Sequence, residues 1–169
     1  MSSELEEVPS TMPEIRNPEL VLQEAKKAAV ALQDVISKKT NPVIFNGEQY
    51  LEFEDWQTVG KFYGLTAKVI STDYVSYGGA QGFEARAVIL HHASGHEISS
   101  ADAMCLNDEE RWSTRPKYEH GEKVGDVVVP LFQLRSMAQT RACAKAFRNV
   151  LAWVVVLAGY RPTPAEEMT

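Results

Sequence analysis

The chain has 169 residues, of which 44% are hydrophobic and 24% charged, and its formal net charge is -6. This length is enough for one domain, and the composition is that of an ordinary globular protein. The opening MSSELEEVPS is acidic and lacks the basic start and apolar centre of a signal peptide. The longest apolar run, VLAWVVVLAG, is about half the length that a membrane-spanning helix needs. We therefore expect a cytoplasmic protein, or a nuclear one where the host has a nucleus, with no membrane partner.

The N-terminal part divides into a tail and a helix. Residues 1–16 are acidic, contain Pro9 and Pro13, and are predicted to be a mobile tail. Residues 17–40 are predicted to form a helix, because Asn17 is a good N-cap and Pro18 suits the first helical position. Apolar residues at intervals of three and four give this helix one apolar stripe, made of Leu22, Ala25, Ala29, Leu32 and Ile36.

Residues 41–163 are predicted to be the core domain, and residues 164–169 a C-terminal extension. The core begins with a hairpin, since Asn46-Gly47 between two apolar segments indicates a type I′ turn. A short helix follows in EDWQTVGKFYG, with Trp56 and Val59 on one side and Gly64 at its end.

Three strands come next, in LTAKVISTDYVSY, FEARAVILHH and HEISSADAMCL, separated by the turn signals GGAQG and ASG. We expect an antiparallel meander of these strands. Residues 106–126 are polar and are predicted to be a long loop, and a helix is predicted over roughly 131–158. The predicted fold class is α+β: a three-stranded antiparallel β-meander packed on a long basic C-terminal helix, a β-β-β-α core, with an N-terminal hairpin and helices.

The positive charge of this acidic chain is concentrated near its C-terminal end. No acidic residue occurs in residues 127–165. Arg141, Lys145 and Arg148 fall within roughly 60° of one another on the long helix, and we expect all three to point outward. Two interpretations stay open at this point. The stripe is either a solvated helix face or a surface that binds anions such as nucleic acid.

Further residues favour nucleic acid. Lys68 and Arg86 lie on predicted strands, and the polar loop interleaves cations with the aromatic Trp112. Single-stranded nucleic acid needs cations for its phosphates and aromatic rings for its bases. Trp112 has two other interpretations, as a gap-filling side chain or as part of a subunit interface. The predicted nucleic-acid-binding residues are Arg141, Lys145, Arg148, Arg135, Lys68, Arg86, Arg115, Lys117 and Trp112.

Signals of other chemistry are weak. The sequence has no GxxxxGK[ST] or GxGxxG motif, so an ATP-driven recombinase is disfavoured. His91, His92 and His96 lack the spacing of a metal site, and Cys105 and Cys143 are expected to be free thiols. We therefore predict no cofactor, no metal and no catalytic residue, and a protein that is not an enzyme.

The segment SMAQTRACAKAFRNVLAWVVVLAGYRPTPAEEM resembles the closing part of a phage- and prophage-borne group close to the single-strand annealing proteins of the Rad-fifty-two superfamily, which include Erf and Redβ relatives. YLEFEDWQTVGKFYGL and CLNDEERW also resemble that group, so the likeness covers roughly residues 43–168. In the superfamily, basic residues on this helix and on the strands line a groove for single-stranded DNA. The resemblance implies Lys145 and Arg148 as phosphate contacts, with Arg141 one turn earlier. Eukaryotic members carry two adjacent basic residues where this chain has Ala144 and Lys145.

The resemblance implies ATP-independent binding and annealing of single-stranded DNA in phage-type homologous recombination and repair. The expected partners are single-stranded DNA, further copies of the chain in a ring or filament, and a phage exonuclease or single-strand-binding protein. Two alternatives stay open: a protective single-strand binder that does not anneal, and an assembly protein whose basic helix faces an acidic partner.

Overall fold

The computed structural model describes residues 16–168. The predicted mobile tail falls almost wholly on residues 1–15, outside the described part. Helix α1 spans Pro18–Ser37, and the Oδ1 of Asn17 accepts the Glu19 N–H at 2.9 Å, which confirms the predicted N-cap. Ala25, Ala29, Leu32 and Ile36 are buried as predicted, but Leu22 is exposed.

Strands β1 (Val43–Phe45) and β2 (Glu48–Tyr50) form the predicted hairpin. Asn46 and Gly47 both have positive φ, of 51° and 79°, as a type I′ turn requires. Helix α2 spans Phe53–Phe62 and buries Trp56 and Val59. Gly64, two residues after the helix, has a φ of 66° and is the predicted stop.

The central sheet is antiparallel with strand order β3-β4-β5, formed by β3 (Leu65–Tyr77), β4 (Ala80–His91) and β5 (Glu97–Leu106). Helix α4 (Leu131–Leu157) packs on one face of this sheet, and α1 and α2 also pack on α4. Phe147, Leu151 and Val154 of α4 belong to the core cluster shared with α1 and α2. The meander and the long helix therefore form the predicted β-β-β-α core.

The prediction of a long loop over residues 106–126 is wrong. The segment contains a short helix α3 (Glu110–Ser113) and a hairpin of β6 (Thr114–Glu119) and β7 (Glu122–Val128). The turn residues His120 and Gly121 both have positive φ, of 50° and 86°. The polar composition hid the hairpin because its residues are exposed along nearly the whole length of both strands.

The C-terminal residues lie against the body of the protein. A 3-10 helix spans Ala165–Glu167, the Ala165 N–H donates to the Leu51 carbonyl at 2.8 Å, and the Phe53 N–H donates to the Glu166 carboxylate at 2.7 Å. No helix among residues 16–168 is long and apolar enough to cross a membrane.

Candidate nucleic-acid interface

Helix α4 carries four cations, Arg135, Arg141, Lys145 and Arg148, and no acidic residue. Its cations differ in their surroundings. Arg135 is exposed, Lys145 and Arg148 are half-buried, and Arg141 is buried with 7% of its surface exposed. The prediction that Arg141 points outward with the other two is therefore wrong.

Arg141 is held by groups from three other parts of the chain. Its Nη1 and Nη2 donate to the two carboxylate oxygens of Glu109 at 2.8 and 2.5 Å. Nη1 also donates to the Met104 carbonyl at 2.9 Å, and Nε donates to the Glu166 carbonyl at 2.8 Å. Four of the five guanidinium N–H groups are thus used inside the protein. Arg141 joins β5, the turn before α3 and the C-terminal 3-10 helix to α4.

The ion pair is reflected in the acidity of its partners. Burial by itself would raise the pKa of the Glu109 carboxyl, but hydrogen bonds from Arg141 and from the Leu106 N–H outweigh it and hold that pKa below its ordinary value. Burial by itself would lower the pKa of Arg141, but the hydrogen bonds to Glu109 and its negative charge outweigh burial. The pKa of Arg141 therefore lies above its ordinary value. Both groups are therefore charged at neutral pH.

Three α4 side chains, four residues apart, bond to the outer edge of β5. The first is the hydrogen bond from Arg141 to the Met104 carbonyl. The Lys145 Nζ donates to the Asp102 carbonyl at 3.3 Å, and the Asn149 Nδ2 donates to the Ser100 carbonyl at 3.0 Å. Four helical residues rise about 6 Å and two strand residues about 6.7 Å, so the two repeats nearly match. Part of the basic stripe therefore covers an otherwise open strand edge.

Lys145 and Arg148 retain the capacity to bind a phosphate. Lys145 makes a single long hydrogen bond, so most of its donor capacity faces solvent. Arg148 makes no side-chain hydrogen bond or ion pair within residues 16–168. Lys145 also borders a cleft of about 320 Å³, which is lined by Ala103, Met104, Glu109, Arg141, Lys145 and Glu167.

The cations on the strands lie on the other side of the sheet. Ala85 and Ala87 of β4 are buried in the core cluster beside α4, so the intervening Arg86 points away from α4. Lys68 is paired with Val88, which lies two residues from Arg86 on β4. Lys68 and Arg86 therefore share one face of the sheet. Arg86 also lies 3.6 Å from Asp102. Lys68 and Arg86 therefore lie on the face of the sheet opposite α4, and Asp102 of β5 contacts cations of both groups, Arg86 through its carboxylate and Lys145 through its carbonyl.

The remaining predicted residues lie near the start of α4. Trp112 is on α3, half-buried, and packs against a core cluster, which agrees with its interpretation as a gap-filling side chain. Arg115 and Lys117 are exposed on β6, where the Arg115 Nη1 donates to the Gln133 Oε1 at 3.4 Å and Lys117 pairs with Glu119 at 2.7 Å. Arg135 makes no ion pair within the described residues.

Glu109, the ion-pair partner of Arg141, is not among the residues predicted from the sequence. No local signal identifies it, because it lies 32 positions from Arg141 in the chain. Sequence reasoning also missed the β6–β7 hairpin. Here a signal existed, since His120-Gly121 precedes a segment containing Val124, Val127 and Val128.

The two cysteines are not activated as nucleophiles. Burial raises the pKa of the Cys105 thiol to about 12 and that of the Cys143 thiol to about 11, so both stay protonated at neutral pH. Residues 16–168 contain no group of three or more side chains placed to hold a metal ion. Comparisons of the chain with protein-family models, curated proteins and solved structures found no match.

Proposed function

We propose that this protein binds single-stranded DNA through its backbone phosphates and anneals complementary strands without ATP, as an oligomer acting in the cytoplasm. The observation that carries the proposal is the charge of α4. Three of its four cations, Arg135, Lys145 and Arg148, have no ion-pair partner within residues 16–168, and the helix contains no acid. The β-β-β-α order and the sequence resemblance support the annealing role.

The mechanism needs no covalent step. Cations that neutralise phosphates lower the repulsion between two negative strands, and a strand held by its backbone keeps its bases free to pair. Each subunit offers only a few contacts. Several subunits on one strand would bind it tightly because each further contact is intramolecular. Arg141 contributes in this proposal by fixing α4 against β5 and the C-terminal segment.

The first experiment measures annealing of two labelled complementary oligonucleotides by fluorescence, without nucleotide and at moderate salt. We expect the wild-type protein to accelerate annealing and the Lys145→Ala/Arg148→Ala variant to lose most of that acceleration. The matched control is Lys26→Ala/Lys27→Ala, which removes two exposed cations from α1 that form no ion pair within residues 16–168. Equal loss in both variants would mean that total charge, and not the α4 surface, matters.

Salt dependence gives an independent readout. Each cation that contacts a phosphate of a single strand contributes roughly -0.7 to the slope of log K against log salt. Removal of Lys145 and Arg148 should therefore make the slope less negative by roughly 1.4 per engaged subunit. Binding without acceleration of annealing would instead identify a protective single-strand binder.

One observation favours a second candidate, an assembly protein. Val128 is 71% exposed, Tyr118 63% and Val124 52%, so one hairpin presents three exposed apolar side chains to a protein partner. This candidate predicts that the protein does not bind oligonucleotides and that its native mass is the same with and without them.

A further inference from the structure

A groove of about 290 Å³ lies between α3 and the first three turns of α4. Its lining is mostly apolar and contains no acidic residue. Two of its hydroxyl groups are already committed to the helix backbone, since the Ser136 Oγ donates to the Phe132 carbonyl and the Thr140 Oγ1 to the Ser136 carbonyl. The lining residues are Trp112, Phe132, Gln133, Ser136, Met137 and Thr140.

Two aromatic side chains form part of this lining. Phe132 is 66% exposed, an unusual position for a large apolar side chain, and Trp112 is half-buried against the core. The indole Nε1 of Trp112 makes no hydrogen bond with a described residue. A groove of this size is at the lower end of small-ligand sites, so it suits one planar ring system.

Three arginines lie on α3, β6 and α4 close to residues of the lining. The Arg115 guanidinium contacts Gln133 of the lining through the hydrogen bond at 3.4 Å, and Arg135 lies on the exposed side of the same helical turns. Arg111 directly precedes Trp112 in α3. None of these three arginines forms an ion pair within residues 16–168. These three arginines outnumber Glu110, the one acidic residue of α3, and the electrostatic surroundings therefore favour an anionic ligand over a neutral one.

We infer that the groove holds one base of a bound single strand, with its ring against Phe132 and Trp112 and the flanking phosphates at Arg115 and Arg135. The inference rests on the proposed function and deepens it by naming a base site separate from Lys145 and Arg148. Base–aromatic stacking tolerates any sequence, as an annealing protein requires. Anchoring one base per subunit leaves the neighbouring bases free to pair with a complement.

The test compares a normal single-stranded oligonucleotide with one of the same length whose sugars lack bases, by fluorescence anisotropy on the full chain. Loss of one stacked base corresponds to roughly fivefold or more in affinity. Phe132→Ala should weaken binding of the normal oligonucleotide by that factor and leave binding of the abasic one unchanged. The control is Trp153→Ala, which removes an exposed aromatic ring from the other end of α4 and should affect neither.

The outcomes separate this inference from the proposed function. If Phe132→Ala binds both oligonucleotides like the wild type, the base site is refuted and backbone binding stands. If Phe132→Ala instead changes the native mass with unchanged affinity, the groove is a subunit contact and the base site is refuted. If the wild type binds neither oligonucleotide, both the base site and the proposed function fail. Trp153→Phe leaves two tryptophans, Trp112 and the fully buried Trp56. In this variant binding should quench the Trp112 part of the emission, and unchanged emission would again refute the site.

Discussion

The buried guanidinium of Arg141 gives the sharpest prediction about this protein. We expect Arg141→Met to destabilise the fold strongly, because the substitution removes four hydrogen bonds at once. It leaves the Glu109 carboxylate, whose side chain is 22% exposed, with only the Leu106 N–H as a partner. The carbonyl groups of Met104 and Glu166 also lose their side-chain donor.

The magnitude follows from breaking a buried pair on one side, which costs about 3–5 kcal/mol. Because Glu109 keeps some access to water, we expect the lower end, about 3 kcal/mol. In a chain of this size that loss lowers Tm by roughly 6–12 °C. Arg141→Lys should recover little, since one ammonium group cannot replace a planar fork that reaches four acceptors. Lys145→Met, which loses one long hydrogen bond, should stay within about 0.5 kcal/mol of the wild type.

The assay is urea and thermal unfolding of Arg141→Met, Glu109→Leu and the double variant. We expect the double variant to be more stable than the sum of the single effects predicts, by about 1–3 kcal/mol of coupling. An Arg141→Met protein as stable as the wild type, but unable to bind single-stranded DNA, would refute the reasoning. It would mean that Arg141 is available to a phosphate in solution.

The same pair makes a pH prediction. The pKa of Glu109 in the folded state lies below its ordinary value of 4.5, so the unfolded chain takes up a proton at higher pH than the folded one. The stability that the ionised carboxylate contributes is complete above that ordinary value and is lost as pH falls through the lowered pKa. The difference in Tm between wild type and Arg141→Met should therefore shrink below pH 4.5 and be constant near neutrality.

Two further substitutions test buried contacts, one of the C-terminal 3-10 helix and one between β4 and β5. Burial raises the pKa of Glu166, so the folded state holds its proton to higher pH and loses stability as pH rises through that window. Glu166→Gln keeps an acceptor for the Phe53 N–H but carries no charge. It should therefore raise Tm at pH 7 but not below pH 4.5, the ordinary pKa of the carboxyl. An equal gain in Tm at both pH values would contradict this. Gly82→Ala would place its Cβ 2.0 Å from the Cys105 carbonyl oxygen, and since backbone cannot yield there we expect several kcal/mol of lost stability in urea unfolding. Wild-type stability would show that β4 and β5 can separate locally.

The start of α1 and several turns could be predicted from short stretches of sequence. Asn17, Pro18, Asn46-Gly47 and Gly64 act through their own backbone geometry and a few neighbouring residues, so their effects could be predicted locally. The turn at His120-Gly121 follows the same local rule, but the polar residues on both sides of it are typical of a loop. Leu22 shows the limit of periodicity, because it belongs to the apolar stripe of α1 but lies beyond the surface that the core covers.

The α+β class, the three-strand meander, the long acid-free helix and the bounds of most elements could be predicted from the sequence. These features depend on hydrophobic period, turn residues and charge along the chain. The surroundings of the cations depend on the folded chain. Folding placed Glu109 against Arg141, Lys145 beside the β5 edge, and Lys68 and Arg86 on the opposite face of the sheet. The physical reason is that a side chain's charge can be read from the sequence, whereas its partners and its exposure depend on residues that folding brings together from distant parts of the chain.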